Sequence, residues 1–313
     1  MPQIPHIRIL MCTHNGARHI AEQLDSFLAQ SHTNWSLWVS DDGSTDATPE
    51  ILARFRNANA NRDIRILRGP GQGGTHNFLT LLTRPDPAPG LVALSDQDDV
   101  WMPEKLARAA RAMAGQPPEV PTAYGAGWYV TDDKLRIRRR SRIPRRGPSF
   151  SNALVQNILS GHSLVLNETA RALLAAAGQP NRVAFQDWWI YLLITGTGGR
   201  VILDDAPVLY YRQHRHNMFG ANTGLRALYR RLRLLAGSGY WHWVHGNAHS
   251  LTGLTDRLTP ENLYLLERFL QTEGARGLAR MQTLRQLGVH RQSGVETLAL
   301  MLAAMLGSVV ATK

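Results

Sequence analysis

A chain of 313 residues, 43% apolar and 19% charged, can bury one large core or two modest ones, which excludes a disordered polymer. Its 35 basic residues outnumber 24 acidic ones, and the net charge of +11 calls for an anionic partner: nucleic acid, lipid headgroups or a nucleotide diphosphate. A single cysteine, Cys12, excludes an internal disulfide framework, and no stretch reaches the roughly 18 apolar residues of a spanning helix, so a cytoplasmic protein, soluble or peripherally bound, is expected.

The first third alternates strand and helix. IRILMC (Ile7 to Cys12) reads as a buried strand and Thr13-His14-Asn15-Gly16 as the turn that leaves it. Ile20, Leu24, Phe27 and Leu28 recur at helical spacing, which predicts a helix over Ala17 to Gln30. WSLWVS (Trp35 to Ser40) is a second strand, and Asp41 to Asp46 supplies a turn and caps for a helix over Thr48 to Asn57. A third strand is expected over Ile64 to Leu67, a glycine-rich turn over Gly69 to Gly74 and a helix over His76 to Leu82. Leu91 to Leu94 completes four strands with short links, the pattern of a parallel sheet covered on both faces.

Ligands of such a sheet bind at the carboxyl ends of its strands, where three polar turns fall: Thr13 to Gly16, Asp41 to Asp46 and Asp96 to Asp99. The last sets Asp96, Asp98 and Asp99 within four residues. Carboxylates so crowded are tolerated when solvated or when a cation such as Mg²⁺ or Mn²⁺ neutralises them. The plainer alternative is an acidic turn in which Asp99 caps the next helix. The glycine fingerprints of dinucleotide-binding and P-loop proteins are both missing after the first strand.

DDGSTD, followed about fifty residues later by SDQDDVWMPEK, resembles the family 2 glycosyltransferases of GT-A fold, and within them the bacterial rhamnosyltransferase-like branch. The resemblance is strong over residues 7–106, looser over 150–220 and missing from the last 90 or so. It implies an α/β fold: a Rossmann-like, mostly parallel sheet with helices on both faces, in a catalytic domain over 1–220, plus a helical extension over 221–313. Residues 1–106 would form the nucleotide-sugar half and 107–220 the acceptor side. It also implies roles. Asp42 would accept a hydrogen bond from the pyrimidine base, and His14, where the family usually has Tyr, would stack on it. Thr13 and Asn15 belong to the same donor-binding turn. Asp96-Gln97-Asp98 fills the DXD position, with Asp98 on Mg²⁺ or Mn²⁺ and Asp96 toward the ribose or a metal-bound water.

Past the acidic turn, strands are expected over Thr122 to Val130 and Leu135 to Arg138, then an exposed basic loop: Lys134 to Arg146 holds eight basic residues and no acid. That run is either a solvated tract or an anion-binding lip. His162 precedes a short strand (Leu164 to Leu166), and Asn167 can cap a helix over Glu168 to Ala177. His162 is either a contact to the sugars or a structural histidine, the latter reading being the plainer one. Asp187 opens the apolar helix WWIYLLITG, where an acid can simply complement the helix dipole. The resemblance makes it the general base, and partial desolvation would suit that task. Two strands, Arg200 to Leu203 and Pro207 to Arg212, lead to His214, which resembles a late family histidine and is a second candidate metal ligand.

The tail turns helical and basic. Leu225, Leu228, Leu232 and Leu235 form one face with Arg226, Arg230 and Arg233 toward the other, a pattern that lies on anionic membranes or packs on a domain. Tyr240 to Trp243 is an interfacial anchor or core, and helices are expected over Pro260 to Leu270, Gly277 to Leu287 and Thr297 to Ala311, the last suited to docking or to a homodimer. The combined reading is a metal-dependent, inverting glycosyltransferase that moves a sugar, rhamnose being the branch's lean, from a dTDP- or UDP-sugar to a glycan or lipid-linked acceptor in surface polysaccharide synthesis. Its rivals are a nucleotidyltransferase, whose expected glycine-rich loop THNGARHI matches poorly, and a nucleic-acid-binding protein, which would leave the acidic turns unexplained.

Overall fold

The computed structural model describes residues 4–85, 89–213, 233, 235, 237–275 and 277–306. Its chain forms two compact units, the first comprising Met1–Ile143, Leu159–Gln179 and Gly199–Gly220 and the second Pro144–Ile158, Pro180–Gly198 and Ala221–Lys313.

The first unit is built on one sheet. Strands β1 (Ile7–Thr13), β2 (Trp35–Asp41), β3 (Ile64–Arg68) and β4 (Leu91–Ser95) are parallel, in the spatial order β3-β2-β1-β4. They are linked by α1 (Ile20–Leu28), α2 (Thr48–Ala58) and α3 (Gly74–Thr83), as the alternation predicts. Every residue of β1 and β4 is buried, the signature of strands covered on both faces. On one face Ile7, Ile9 and Met11 pack with Ile20, Leu24 and Phe27 of α1 and with Leu106 and Ala109 of α4 (Lys105–Ala114).

Beyond β4 the sheet becomes mixed. It continues through β8 (Val165–Leu166), β6 (Thr122–Thr131) and β9 (Arg200–Arg212) to β5 (Val100–Trp101), while β7 (Ile137–Arg140) pairs with β6 alone. Two expectations are corrected. The two strands predicted between Arg200 and Arg212 are one, because β9 follows β6 in parallel through two register shifts that absorb the Asp204–Pro207 irregularity. The basic run is not wholly a loop: Ile137–Arg140 pairs antiparallel with β6, and Leu135, expected in the strand, turns the chain at φ 59°. Asn167 caps α6 (Glu168–Ala177), accepting from the Ala170 amide at 2.9 Å.

The second unit is helical. α7 (Gln186–Gly196) is buried from Trp188 to Gly196 and packs with α5 (Phe150–Ala153), where Trp188 Nε1 donates to the Ala153 carbonyl at 2.7 Å. α8 (Ser238–Ser250) buries Tyr240 and Trp241, which makes that aromatic pair core and not an interfacial anchor. α9 (Pro260–Gln271), α10 (Gly277–Gln286) and α11 (Gly294–Leu306) follow, and Val295, Leu298, Leu302 and Leu306 leave one stripe of α11 exposed. Among the described residues no helix is long and apolar enough to cross a membrane. The amphipathic helix expected over Leu225 to Leu235 lies outside the described residues, save Arg233 and Leu235.

Gly90 immediately precedes β4, whose register beside β1 begins at Leu91, with Leu91 N–H donating to the His6 carbonyl at 2.9 Å. Its φ is +146°, and a Cβ there would stand 2.4 Å from the His6 oxygen. Gly90→Ala should therefore destabilise the protein by roughly 1–3 kcal/mol. The check is the urea midpoint, which an unstrained position would leave unmoved.

Candidate active site

The three polar turns meet because their strands are neighbours: Thr13 is in register with Asp41, and Met11 with Ser95. Most of their polar atoms bind one another. Thr13 Oγ1 donates to Asp41 Oδ1 at 2.8 Å, and Asp41 also accepts from the Ser44 amide at 2.9 Å, so Asp41 braces its turn. Asn15, held at φ 48°, donates its amide to Ser44 Oγ and accepts from Thr45 N–H, both at 2.8 Å. Asp46 accepts from Ala17 N–H and from Thr48 N–H, each at 3.0 Å, which ties the starts of α1 and α2 together.

Gln97 closes the first turn onto the third. Its Oε1 accepts from His14 N–H at 2.9 Å and its Nε2 donates to the His14 carbonyl at 3.0 Å. Gly16 allows this approach, since a Cβ there would lie 2.2 Å from Gln97 Oε1. The side chain of His14 stays exposed beside this clamp. Asp42 is half-buried, and its two oxygens accept from Gly71 N–H at 2.7 Å and Gly73 N–H at 2.8 Å. Both glycines have positive φ, which explains the glycine-rich stretch: it forms a seat for this carboxylate. A carboxylate offers about four lone-pair sites, so Asp42 keeps capacity for a further donor.

The acidic turn is the electrostatic centre. Asp96, Gln97 and Asp98 are half-buried, whereas Asp99 is 0% exposed. The cause is β5, which pairs with β9 (Val100 with Tyr210, Trp101 with Leu209) and draws the turn into the sheet. The expectation that Asp99 caps the next helix is corrected, since α4 begins beyond Glu104. Asp99 Oδ1 accepts a long bond from Arg212 N–H at 3.4 Å, and Arg212 Nε holds the Asp98 carbonyl at 3.1 Å. Lys105, also 0% exposed, sits 3.6 Å from the Trp101 ring centre and donates to the His162 carbonyl at 2.5 Å. His162 is buried, its ring stacked on Tyr211 and edge-on to Trp128, each at 4.8 Å.

These groups shift one another. Burial, and then Asp98 and Asp96, push the Asp99 carboxyl well up, against the pull of Lys105. Burial pushes the Lys105 ammonium well down. Burial and then Lys105 push the His162 imidazole down to about 3, which leaves it neutral at physiological pH. Asp99 Oδ2 and His162 Nε2 are buried with no hydrogen-bond partner among the described residues. Asp96, Asp99 and His162 each offer a ligand atom, all within 4.8 Å of one another. Two carboxylates and a neutral imidazole suit Mg²⁺ or Mn²⁺, and buried polar atoms without partners are what a bound cation could engage.

His162 thus joins the acids, which its place before a short strand did not reveal. Asp98, expected as the direct ligand, lies on the same turn but outside this group of three. His214 lies outside the described residues. Asp187 belongs to the second unit; it is half-buried near the start of α7, and its Oδ1 accepts from Trp188 N–H at 2.8 Å.

Two outcomes follow from this chemistry. Mn²⁺ at about 100 times its Kd should add roughly 2.7 kcal/mol to the stability of the wild type. Asp99→Asn should abolish that gain while leaving the metal-free protein at least as stable, because it removes a buried carboxylate; thermal melts with and without chelator read both, and an undiminished gain would contradict the site. The second concerns acid. His162 has a folded pKa below its unfolded value near 6.5, so its contribution is complete above that value and is lost as pH falls toward about 3. In chelator, His162→Gln should therefore lose less stability than the wild type between pH 6.5 and 3, and parallel acid limbs would show that the imidazole is not held neutral.

The comparisons with known proteins agree with this architecture. A dTDP-rhamnosyl transferase from Shigella flexneri, RfbG, is 26% identical over 77% of this chain and 84% of its own. The succinoglycan biosynthesis protein ExoO of Rhizobium meliloti is 30% identical over 43% of this chain and 34% of its own. Among solved structures, a Pyrobaculum calidifontis mannosyltransferase in complex with GDP-Man and Mn²⁺ superposes with a TM-score of 0.52 at 19% identity, over 97% of this chain and 86% of that one. S. aureus TarS 1–349 with UDP-GlcNAc gives 0.55 at 15% identity, over 96% and 90%. These are GT-A glycosyltransferases, and the fold is theirs. The profile of glycosyl transferase family 2 matches residues 8–173, more than half of the sequence, and the chain belongs to that family.

Proposed function

We propose that this glycosyltransferase is metal-dependent and inverting, and that it moves a sugar from a nucleotide diphosphate donor to a glycan or lipid-linked acceptor in surface polysaccharide synthesis. The observation that carries the reading is the Asp96–Asp99–His162 group, with its two orphaned buried atoms, at the carboxyl end of β4. These three residues would hold Mg²⁺ or Mn²⁺, with Asp98 beside them on the same turn and His214 as the sequence's further candidate. The cation, when bound, would neutralise charge on the leaving nucleoside diphosphate. The relatives support a nucleotide-sugar: the solved complexes are with GDP-Man and UDP-GlcNAc, and RfbG is a dTDP-rhamnosyl transferase. Rhamnose from a dTDP- or UDP-linked donor is therefore the first sugar to test.

In this reading the donor base lies against the Asp42 turn. Asp42, held by Gly71 and Gly73, would take the base N–H on a remaining lone pair, and the exposed His14 ring would stack on the base. Thr13 and Asn15 keep the floor of that turn rigid, and Gln97 fixes it to the acidic turn. Residues 1–106 would serve as the donor half, 107–220 as the acceptor side and 221–313 as an extension that docks on membrane or a second copy. A lipid-linked acceptor would place the enzyme in the cytoplasm, peripheral on the inner face of the membrane. Asp187 would take the proton from the acceptor hydroxyl as it attacks, and a single carboxylate of this kind supports one displacement with inversion.

The test is a screen of nucleotide-sugars for metal-dependent release of free nucleoside diphosphate, with the product anomer read by NMR. Release from none of them with Mg²⁺ or Mn²⁺ would remove the reading. Asp187→Asn should cut transfer by roughly 10²–10⁴-fold with donor affinity unchanged. Wild-type transfer by that variant would make Asp187 a partner of the helix dipole only.

A further inference from the structure

His162 is fixed from more directions than the acid cluster requires. It lies in the 3₁₀ turn Gly161–Ser163, shortly before β8, and that turn is pinned on both sides of the histidine. Ser163 N–H donates to the Ser160 carbonyl at 2.9 Å, and Ser163 Oγ donates to the same oxygen at 3.1 Å. The buried Lys105 ammonium holds the His162 carbonyl. The backbone therefore gives the imidazole a fixed root, and gives Ser160, two residues earlier, a fixed place beside it.

The ring is fixed as well. Tyr211 of β9 stacks on it at an angle of 20°, and Trp128 of β6 meets it edge-on at 88°, each with ring centres 4.8 Å away. These contacts set the plane of the imidazole. They do not set which edge faces the acids, because half a turn about χ2 keeps the plane and exchanges each nitrogen with a carbon. Ser160 makes that choice, with its Oγ 3.3 Å from Nδ1. Nδ1 is thereby occupied, and Nε2 is left buried with no partner among the described residues.

We propose that Ser160 is a positioning residue of the metal centre: its hydroxyl accepts the Nδ1 proton of His162, so that Nε2 presents its lone pair to the cation, while Tyr211 and Trp128 hold the plane of the ring. The inference rests on the metal-dependent reading and assigns the residues that support its imidazole. A neutral imidazole carries one proton and a metal takes the nitrogen without it, so the other nitrogen needs an acceptor. A serine hydroxyl can accept such a bond, and that of Ser160 is in reach of Nδ1. The opposite assignment, with Ser160 donating to Nδ1, would put the ring proton on Nε2 and close that nitrogen to a cation.

Nitrogen-15 NMR of histidine-labelled protein in chelator reads the tautomer without metal or turnover, the His162 signal being the one missing from His162→Gln. The proton should sit on Nδ1 in the wild type and in Ser160→Thr, and be shared between the two nitrogens in Ser160→Ala. A wild-type proton on Nε2 would overturn the proposal whether or not the variants fold, and so would a tautomer that Ser160→Ala leaves unmoved. Mn²⁺ titration followed by electron spin resonance is the second arm. Ser160→Ala should bind roughly 10–100-fold more weakly than the wild type, with affinity restored in Ser160→Thr. A serine that only shapes the turn would leave the metal affinity of both variants at the wild-type value, and that result overturns the proposal while the metal reading stands. A wild type that binds no Mn²⁺ removes both.

Discussion

A carboxylate buried without enough partners is the constraint around which this site is built. Asp99 is fully enclosed, beside the half-buried Asp96 and Asp98 and opposite a fully enclosed Lys105. Burying an ionised group is costly unless it is paired and hydrogen-bonded, and a buried pair recovers that cost only when its remaining lone pairs are satisfied. Here one Asp99 oxygen has a 3.4 Å bond and the other has none among the described residues. Lys105 spends its ammonium on the His162 carbonyl and on the face of Trp101. A divalent cation would supply the partner that Asp99 lacks.

The same constraint explains the surrounding scaffold. Arg212 holds the acidic turn by its backbone, through the Asp98 carbonyl, which leaves the carboxylates to other work. Gln97 sends its amide to the His14 backbone and so fixes the spacing of the first and third turns. Asp42 is anchored by amides from a glycine-rich loop. Each device immobilises a potential ligand with a neighbouring backbone group. A preorganised site of this kind loses little freedom when substrate arrives, which is where binding energy is otherwise spent.

Much of this was legible in the sequence because it is local. The four parallel strands, the helices between them and the Asn167 cap follow from periodicity and cap chemistry within windows of a few residues. DDGSTD and SDQDDVW marked the strand ends that carry the site. What was not legible is non-local. Asp99 is buried because Val100 pairs with Tyr210, over a hundred residues away, and no local signal reports that strand of two residues. His162 reaches the acids only because β8 is inserted between β4 and β6. Gln97 stands in the DXD position, and its clamp on His14 depends on β1 and β4 being neighbours. The arginine run looked like a loop because its charge hides the pairing of β7 with β6.

The central claim is that His162, Asp96 and Asp99 share one cation, and electron spin-echo spectroscopy of the Mn²⁺-loaded protein tests it most directly. The account predicts the nitrogen coupling of a directly bound imidazole in the wild type and its loss in His162→Gln. Mn²⁺ bound without imidazole coupling, or a coupling that survives the substitution, would contradict it.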